Sequence, residues 1–205
     1  MTSHSKRVVL LESAELERFS VYGFSIEYPP VCRFEFNPKS RREKGDIVIH
    51  FPDREKLFLS WGDLATVQNN FQTVKEQADQ SIKAMMKSRN VGKVERLVDS
   101  SLDVNSHKAA YNQVRFDELS LGGLFLSKTK ATKRLTYSVH IHCQDSLRYF
   151  VIYTILSPNA PEDFESLFKR MAKSFVCHNG PSSNRVRRGH VRGRHSNLLH
   201  RRDVS

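Results

Sequence analysis

The sequence predicts an α+β domain, a central antiparallel sheet of about seven strands with a long mid-chain helix and a C-terminal helix packed on it. Three observations carry this. Apolar residues alternate with polar ones through the first third of the chain. The middle of the chain switches to helical spacing. Two pairs of apolar runs joined by short polar turns then lead to a last helical stripe.

Residues 1–18 form a lead-in in which 12–19 fits either a short helix or a strand. The pattern sharpens at 23–29, where Phe24, Ile26 and Tyr28 share one face and Ser25 and Glu27 the other. That alternation is the signature of a half-buried strand, closed here by Pro29 and Pro30. Residues 33–36 alternate again, with Phe34 and Phe36 inward, before the polar turn NPKSRREKGD. Residues 46–51 and 56–61 read as two more strands around Pro52-Asp53-Arg54. The period then changes. Val67, Phe71, Val74, Ala78, Ile82 and Met85 or Met86 fall on one stripe of a helix spanning 67–89. Asp63 or Thr66 is placed to cap its start, and Gly92 follows its end. Strands 94–104 and 108–119 flank Asn105-Ser106-His107, and strands 132–143 and 147–156 flank Gln144-Asp145-Ser146. The run RYFVIYTIL is apolar on both faces, which predicts a central strand covered on both sides. Pro158 and Pro161 precede a last helix, 162–175, with Phe164, Leu167, Phe168, Met171 and Phe175 as its buried stripe. Glu162, Asp163 and Glu165 lie in its first turn, where they favour the helix dipole.

Composition sets the limits. The chain has 205 residues, 39% of them hydrophobic and 13 of them Phe, enough for one core plus an appendage. No apolar run is long enough to span a bilayer. The apolar stretch 8–11 is too short for a secretory signal, so the expectation is a cytoplasmic protein without membrane contact. Cys32, Cys143 and Cys177 are widely spaced and form no C-x-x-C pair. They are expected as reduced thiols, buried as small apolar side chains. The net charge of +11 is uneven: residues 178–205 hold seven Arg against one Asp.

The opening segment YGFSIEYPPVCRF, from Tyr22 to Phe34, resembles the first strand of the PsbP-like superfamily. The closing segment FESLFKRMAKSFV is similar to its terminal helix, which commonly ends in a Ser-Phe pair, here Ser174-Phe175. The order of elements between them also matches, so the resemblance covers residues 19–177. It implies a central antiparallel sheet with helices on its faces. The superfamily includes extrinsic PsbP proteins of photosystem II, Ran-binding factors of nuclear import and many uncharacterised prokaryotic proteins. Its roles are mostly binding or assembly, and the chain looks more like the uncharacterised prokaryotic members, which have no common functional residues to carry over.

Several constellations invite chemistry. On a strand, His140 and His142 would share a face opposite Ile141 and Cys143. With His50 or a carboxylate they could hold zinc. A hydrolase or metal-dependent enzyme would be built there, but no second ligand pair stands at metal-site spacing, so no metal and no cofactor are expected. No nucleophile motif, P-loop or dinucleotide fingerprint occurs, so no catalytic residues are expected. Gly122-Gly123 reads as a loop, and Asp117-Glu118 and Glu162-Asp163 as solvated charges. Trp61 reads as core or pocket wall. The tail 178–205 cannot bury enough apolar surface to offset its ordering and is expected to be disordered. Its Arg185, Arg187, Arg188, Arg192, Arg194, Arg201 and Arg202 are the candidate contacts to phosphate or an acidic partner. The reading that follows is a non-enzymatic binding or assembly module acting through the groove between long helix and sheet. The alternative is a nucleic-acid-associated protein whose tail makes weak, non-specific phosphate contacts.

Overall fold

The computed structural model describes residues 15–120 and 130–178. The Gly122-Gly123 loop, most of the lead-in and the seven tail arginines lie outside the described residues. Within them the alternating stretches become strands β1 (Glu17–Val21), β2 (Phe24–Tyr28), β3 (Arg33–Phe36), β4 (Gly45–His50) and β5 (Lys56–Asp63). Helices α1 (Leu64–Gln68) and α2 (Val74–Met86) follow. Strands β6 (Val91–Val104), β7 (His107–Ser120), β8 (Lys130–Cys143) and β9 (Arg148–Leu156) lead to α3 (Phe164–Ser174). A seven-stranded antiparallel sheet runs in the order β3-β4-β5-β9-β8-β7-β6. The α+β class, the strand number of this sheet and both hairpins agree with the sequence reading.

Two features differ from it. The strand at Phe24 is not part of the main sheet. It pairs with β1 in a separate ribbon, turned by Tyr22 and Gly23 at φ of 50° and 77°, so the lead-in becomes a strand from Glu17 onward. Alternation alone marks a half-buried strand without saying which sheet takes it. The long helix is also two helices. Asp63 caps α1 by accepting a hydrogen bond from the Thr66 backbone N–H at 3.3 Å. Thr73 then caps α2, accepting from the Glu76 N–H at 3.1 Å, while the Glu76 carboxylate accepts from the Gln72 N–H at 2.8 Å. Asn69 and Asn70 between them are weak helix formers, so the capped break wins over continuing the stripe.

The core lies on one face of the sheet. Ile47, Ile49, Leu57, Leu59, Trp61, Val139, Ile141, Phe150 and Ile152 point there, all essentially without solvent contact. Phe164, Leu167, Phe168 and Met171 of α3 cover one part, and Phe24 and Ile26 of the ribbon cover another. Each large side chain buried this way contributes about 2–3 kcal/mol. The Trp61 ring packs on Tyr22 and Phe24, and its Nε1 donates to the Arg41 carbonyl at 2.9 Å, which makes it core. The segment after α3 crosses the ribbon, where Ser25 and Val176 exchange backbone hydrogen bonds of 2.9 and 2.8 Å.

Arg148, buried at the start of β9, ties these layers together. Its guanidinium donates to the carbonyls of Tyr22, Arg42, Gly23 and Cys177 at 2.8, 2.9, 3.3 and 3.0 Å. The sheet's outer strands differ in length. β3 has four residues and β6 has fourteen, the latter broken by register shifts between Val91 and Val94 and between Arg96 and Val98.

Candidate functional site

The second face of the sheet is only partly covered. Helix α2 lies over β6, β7 and β8, burying Ala78 and Ile82, and the Arg96 guanidinium of β6 pairs with Asp79 at 2.7 Å. Next to it the five-residue α1, which follows directly on β5, contacts β5 and β9 and buries Leu64. There Tyr149, Val151 and Tyr153 of β9 are half-buried and Ile155 is 40% exposed. The register sets Val48, Phe58, Tyr153 and Ser138 side by side across four strands. Phe58 and Tyr153 stack with ring centroids 4.8 Å apart. Where this open face meets α2, a cleft of about 200 Å³ runs between Met85, Ile82, Val114, His140, Val151 and Tyr153. The sequence reading made β9 central and covered on both sides. The first half agrees. The second holds only in part: Tyr149, Val151 and Tyr153 are half-buried, α2 meets Val151 and Tyr153 at the cleft, and Ile155 is left exposed.

His140 and His142 share a face, as alternation predicted, and it is the face under α2. His142 Nε2 meets the Gln77 Oε1 of α2 at 2.8 Å. His140 is 1% exposed, and its Nδ1 has no hydrogen-bond partner among the described residues. Burial pushes the His140 imidazole down to about 4, helped by the neighbouring His142, and lowers His142 as well. Both rings are therefore neutral near pH 7. His50 does not join them, since its Nε2 pairs with the Glu35 carboxylate at 2.7 Å. Both amide atoms of buried Asn112 are also without partners among the described residues, directly opposite Ser138 beside the cleft.

A different cluster forms at one end of the sheet, from residues the sequence reading did not bring together. His107 begins β7, just after the Asn105-Ser106 turn. Cys143 ends β8, and Cys177 and His178 follow α3. The Cys177 Sγ lies 2.9 Å from the Cys143 Sγ, 3.0 Å from His107 Nε2 and 3.2 Å from His178 Nδ1. The Cys143 Sγ is 3.4 Å from the same Nδ1 and accepts from the Ser146 backbone N–H at 3.4 Å. All three cysteines are buried, as expected, and Cys32 stands apart from this group. Hydrogen bonding from the Cys177 thiol, against the opposing effect of burial and with help from Ser146 and His178, holds the Cys143 thiol far below its usual value, at about 4. The same contact with Cys143 pushes the Cys177 thiol up. Burial alone raises Cys32, to about 12. The four donors come from positions 107, 143, 177 and 178, so no local spacing could announce them; the adjacent Cys177-His178 pair is the one hint the sequence offers.

No family model matches the chain, and no curated protein matches it. Solved structures do. The Ran-binding protein Mog1p of Saccharomyces cerevisiae superposes with a TM-score of 0.53 at 13% identity, over 80% of this chain and 96% of that one. The PsbP protein of the cyanobacterium Synechocystis gives 0.48 at 14% identity, over 80% and 92%. A Pseudomonas aeruginosa protein of unknown function gives 0.44 at 10% identity, over 82% and 100%. At these identities the likeness concerns the fold. The antiparallel sheet with its helices thus gives this chain an α+β fold similar to that of Mog1p.

Proposed function

We propose that this chain is a non-enzymatic protein-binding module whose docking face is the open half of the sheet beside α2. The observation that carries the reading is β9, a central strand whose second face is as apolar as its first and yet only half-buried, with Ile155 40% exposed. Contiguous apolar surface of this kind, rimmed by polar residues, marks interaction sites. The Phe58–Tyr153 stack would be its anchor, flanked by Val48, Val151 and Ile155, with Lys56 and Asp46 at the rim. Rigid aromatics on a flat strand surface lose little entropy when a partner covers them. The occupant is a partner polypeptide presenting apolar side chains. Mog1p, a protein of this fold, is described as Ran-binding, which supports protein recognition as the use of such a scaffold. The buried Cys143 and Cys177 sulfurs favour a non-enzymatic reading too, because a substrate could not reach them. The seven tail arginines lie outside the described residues, and nothing in the structure or the comparisons adds weight to phosphate binding by them.

Photocrosslinking tests this reading. A crosslinking residue at Ile155 in the full chain should capture a discrete partner in the source cell. One at Glu162, on the core-side helix entrance, should not. The Tyr153→Asp substitution should abolish the Ile155 adduct while the protein stays folded by circular dichroism. Identical capture from both positions, or an adduct indifferent to Tyr153→Asp, would sink the docking face.

A further inference from the structure

We propose that His107, Cys143, Cys177 and His178 form a closed Cys2His2 site for a zinc-class divalent ion, serving structure and not catalysis. The ligand set is that of structural zinc: two sulfurs and two imidazole nitrogens, and no carboxylate or water position needed to complete four ligands. The four donor atoms lie within 4.8 Å of one another. A tetrahedral ion with bonds of the usual length would separate such donors by about 3.3–3.8 Å. The sulfurs, now 2.9 Å apart, would need to open by less than about 1 Å, which a strand end and a post-helix segment can supply.

Hydrogen bonding among thiols accounts poorly for the same arrangement. Sulfur is a weak donor and a weak acceptor. Yet the Cys177 sulfur has three close side-chain neighbours, and one His178 Nδ1 sits 3.2 and 3.4 Å from two sulfurs at once. One N–H cannot point at both. A cation at the centre gives every one of these atoms the same partner.

The surroundings suit an ion as well. The other nitrogen of His178, Nε2, lies 3.4 Å from the Asp145 carboxylate, close to where a carboxylate orients a metal-binding histidine. The Ser146 N–H supports the Cys143 sulfur, and the Arg148 guanidinium holds the Cys177 carbonyl at 3.0 Å. Both sulfurs are fully buried, whereas His107 and His178 are half-buried, so an ion would enter from the imidazole side. The site joins three stretches far apart in sequence: Cys177 lies 34 residues from Cys143 and 70 from His107. An ion there would clamp the segment after α3 onto the ends of β7 and β8. Its binding free energy would then be part of the folding free energy.

The experiment uses the full chain, made in zinc-replete medium and purified in reducing buffer. Elemental analysis should find one zinc per chain. Replacing it with Co²⁺ should give the intense visible bands of a tetrahedral ion and a thiolate-to-cobalt charge-transfer band. Cys143→Ser should lose both the zinc and the charge-transfer signal. His178→Gln, at the half-buried margin where folding is least at stake, should weaken Co²⁺ binding by more than about 100-fold, beyond the range of an outer-shell change. Asp145→Asn should weaken it about tenfold. Cys32→Ser, and the pair His140→Gln with His142→Gln, should leave binding unchanged. Three results overturn the site: metal content equal in the unmodified chain and Cys143→Ser, a Co²⁺ spectrum without thiolate bands, or a Cys143–Cys177 disulfide in the reduced preparation with no metal.

Discussion

Arg148 shows how much can rest on one side chain. Its planar fork satisfies four carbonyls from the ribbon, the β3–β4 loop and the C-terminal segment, places that no other single side chain connects among the described residues. Lysine keeps the charge but not the fork. Arg148→Lys should lower unfolding stability by about 3 kcal/mol, read as a shift in the urea midpoint at unchanged slope. A shift within experimental scatter would mean the carbonyls find other partners. His140 makes a second prediction. In the fold its imidazole is held down to about 4, against 6.5 ordinarily. Between those values the unfolded chain binds a proton that the folded chain does not, so stability falls as pH drops from about 6.5 toward 4. The loss should reach about 3 kcal/mol. Unfolding titrations across this window should show a shallower pH dependence in His140→Gln. Neither role was legible in the sequence. An Arg opening an apolar strand reads as a solvent-facing end, and a His between apolar neighbours gives its face but not the helix that covers it.

At the scale of elements, local chemistry was well written. The stripe Phe164, Leu167, Phe168, Met171 is the buried face of α3, and the Asn105-Ser106 turn, at φ of 42° and 67°, closes the β6–β7 hairpin. Periodicity misled in the helix, because Val67, Phe71 and Val74 keep the helical spacing across a break. The cap at Thr73 was present in the letters, with Glu76 three residues on, and it outweighs the stripe. Thr73→Ala should therefore cost about 1 kcal/mol, measured by thermal unfolding, with a partial loss of helical circular dichroism. No change would indicate that packing of Ala78 and Ile82 alone fixes where α2 begins. The ribbon teaches the converse: β2 was recognisable as a strand, but its partner is chosen by the turn at Tyr22-Gly23 and by apolar contact with Trp61, neither of which alternation encodes.

For the whole molecule, what the sequence concealed are meetings between distant segments. The thiol–imidazole cluster needs a strand start, a strand end and the segment beyond a helix to arrive at one corner, and each residue alone looked ordinary. If an ion fills that corner, removing it should loosen the C-terminal segment first. Chelator should lower the melting temperature of the full chain by at least about 5 °C, and His178→Gln should be insensitive to it. Equal melting of both, with and without chelator, would count against a structural ion. The second sheet face was half legible: the sequence marked β9 as apolar on both sides, and the paths of α1 and α2 show that one of those sides stays half-buried.

The two outermost strands also decide how copies of this molecule meet. A sheet rim with free backbone groups invites strand addition from a neighbour and, in repetition, fibrils. Here one rim is four residues long and the other carries two register shifts that interrupt its pairing, with Lys93, Glu95, Arg96 and Asp99 spaced along it. Neither offers a straight template. On the proposed reading, association through the sheet rims is disfavoured, and a partner would meet the sheet face broadside.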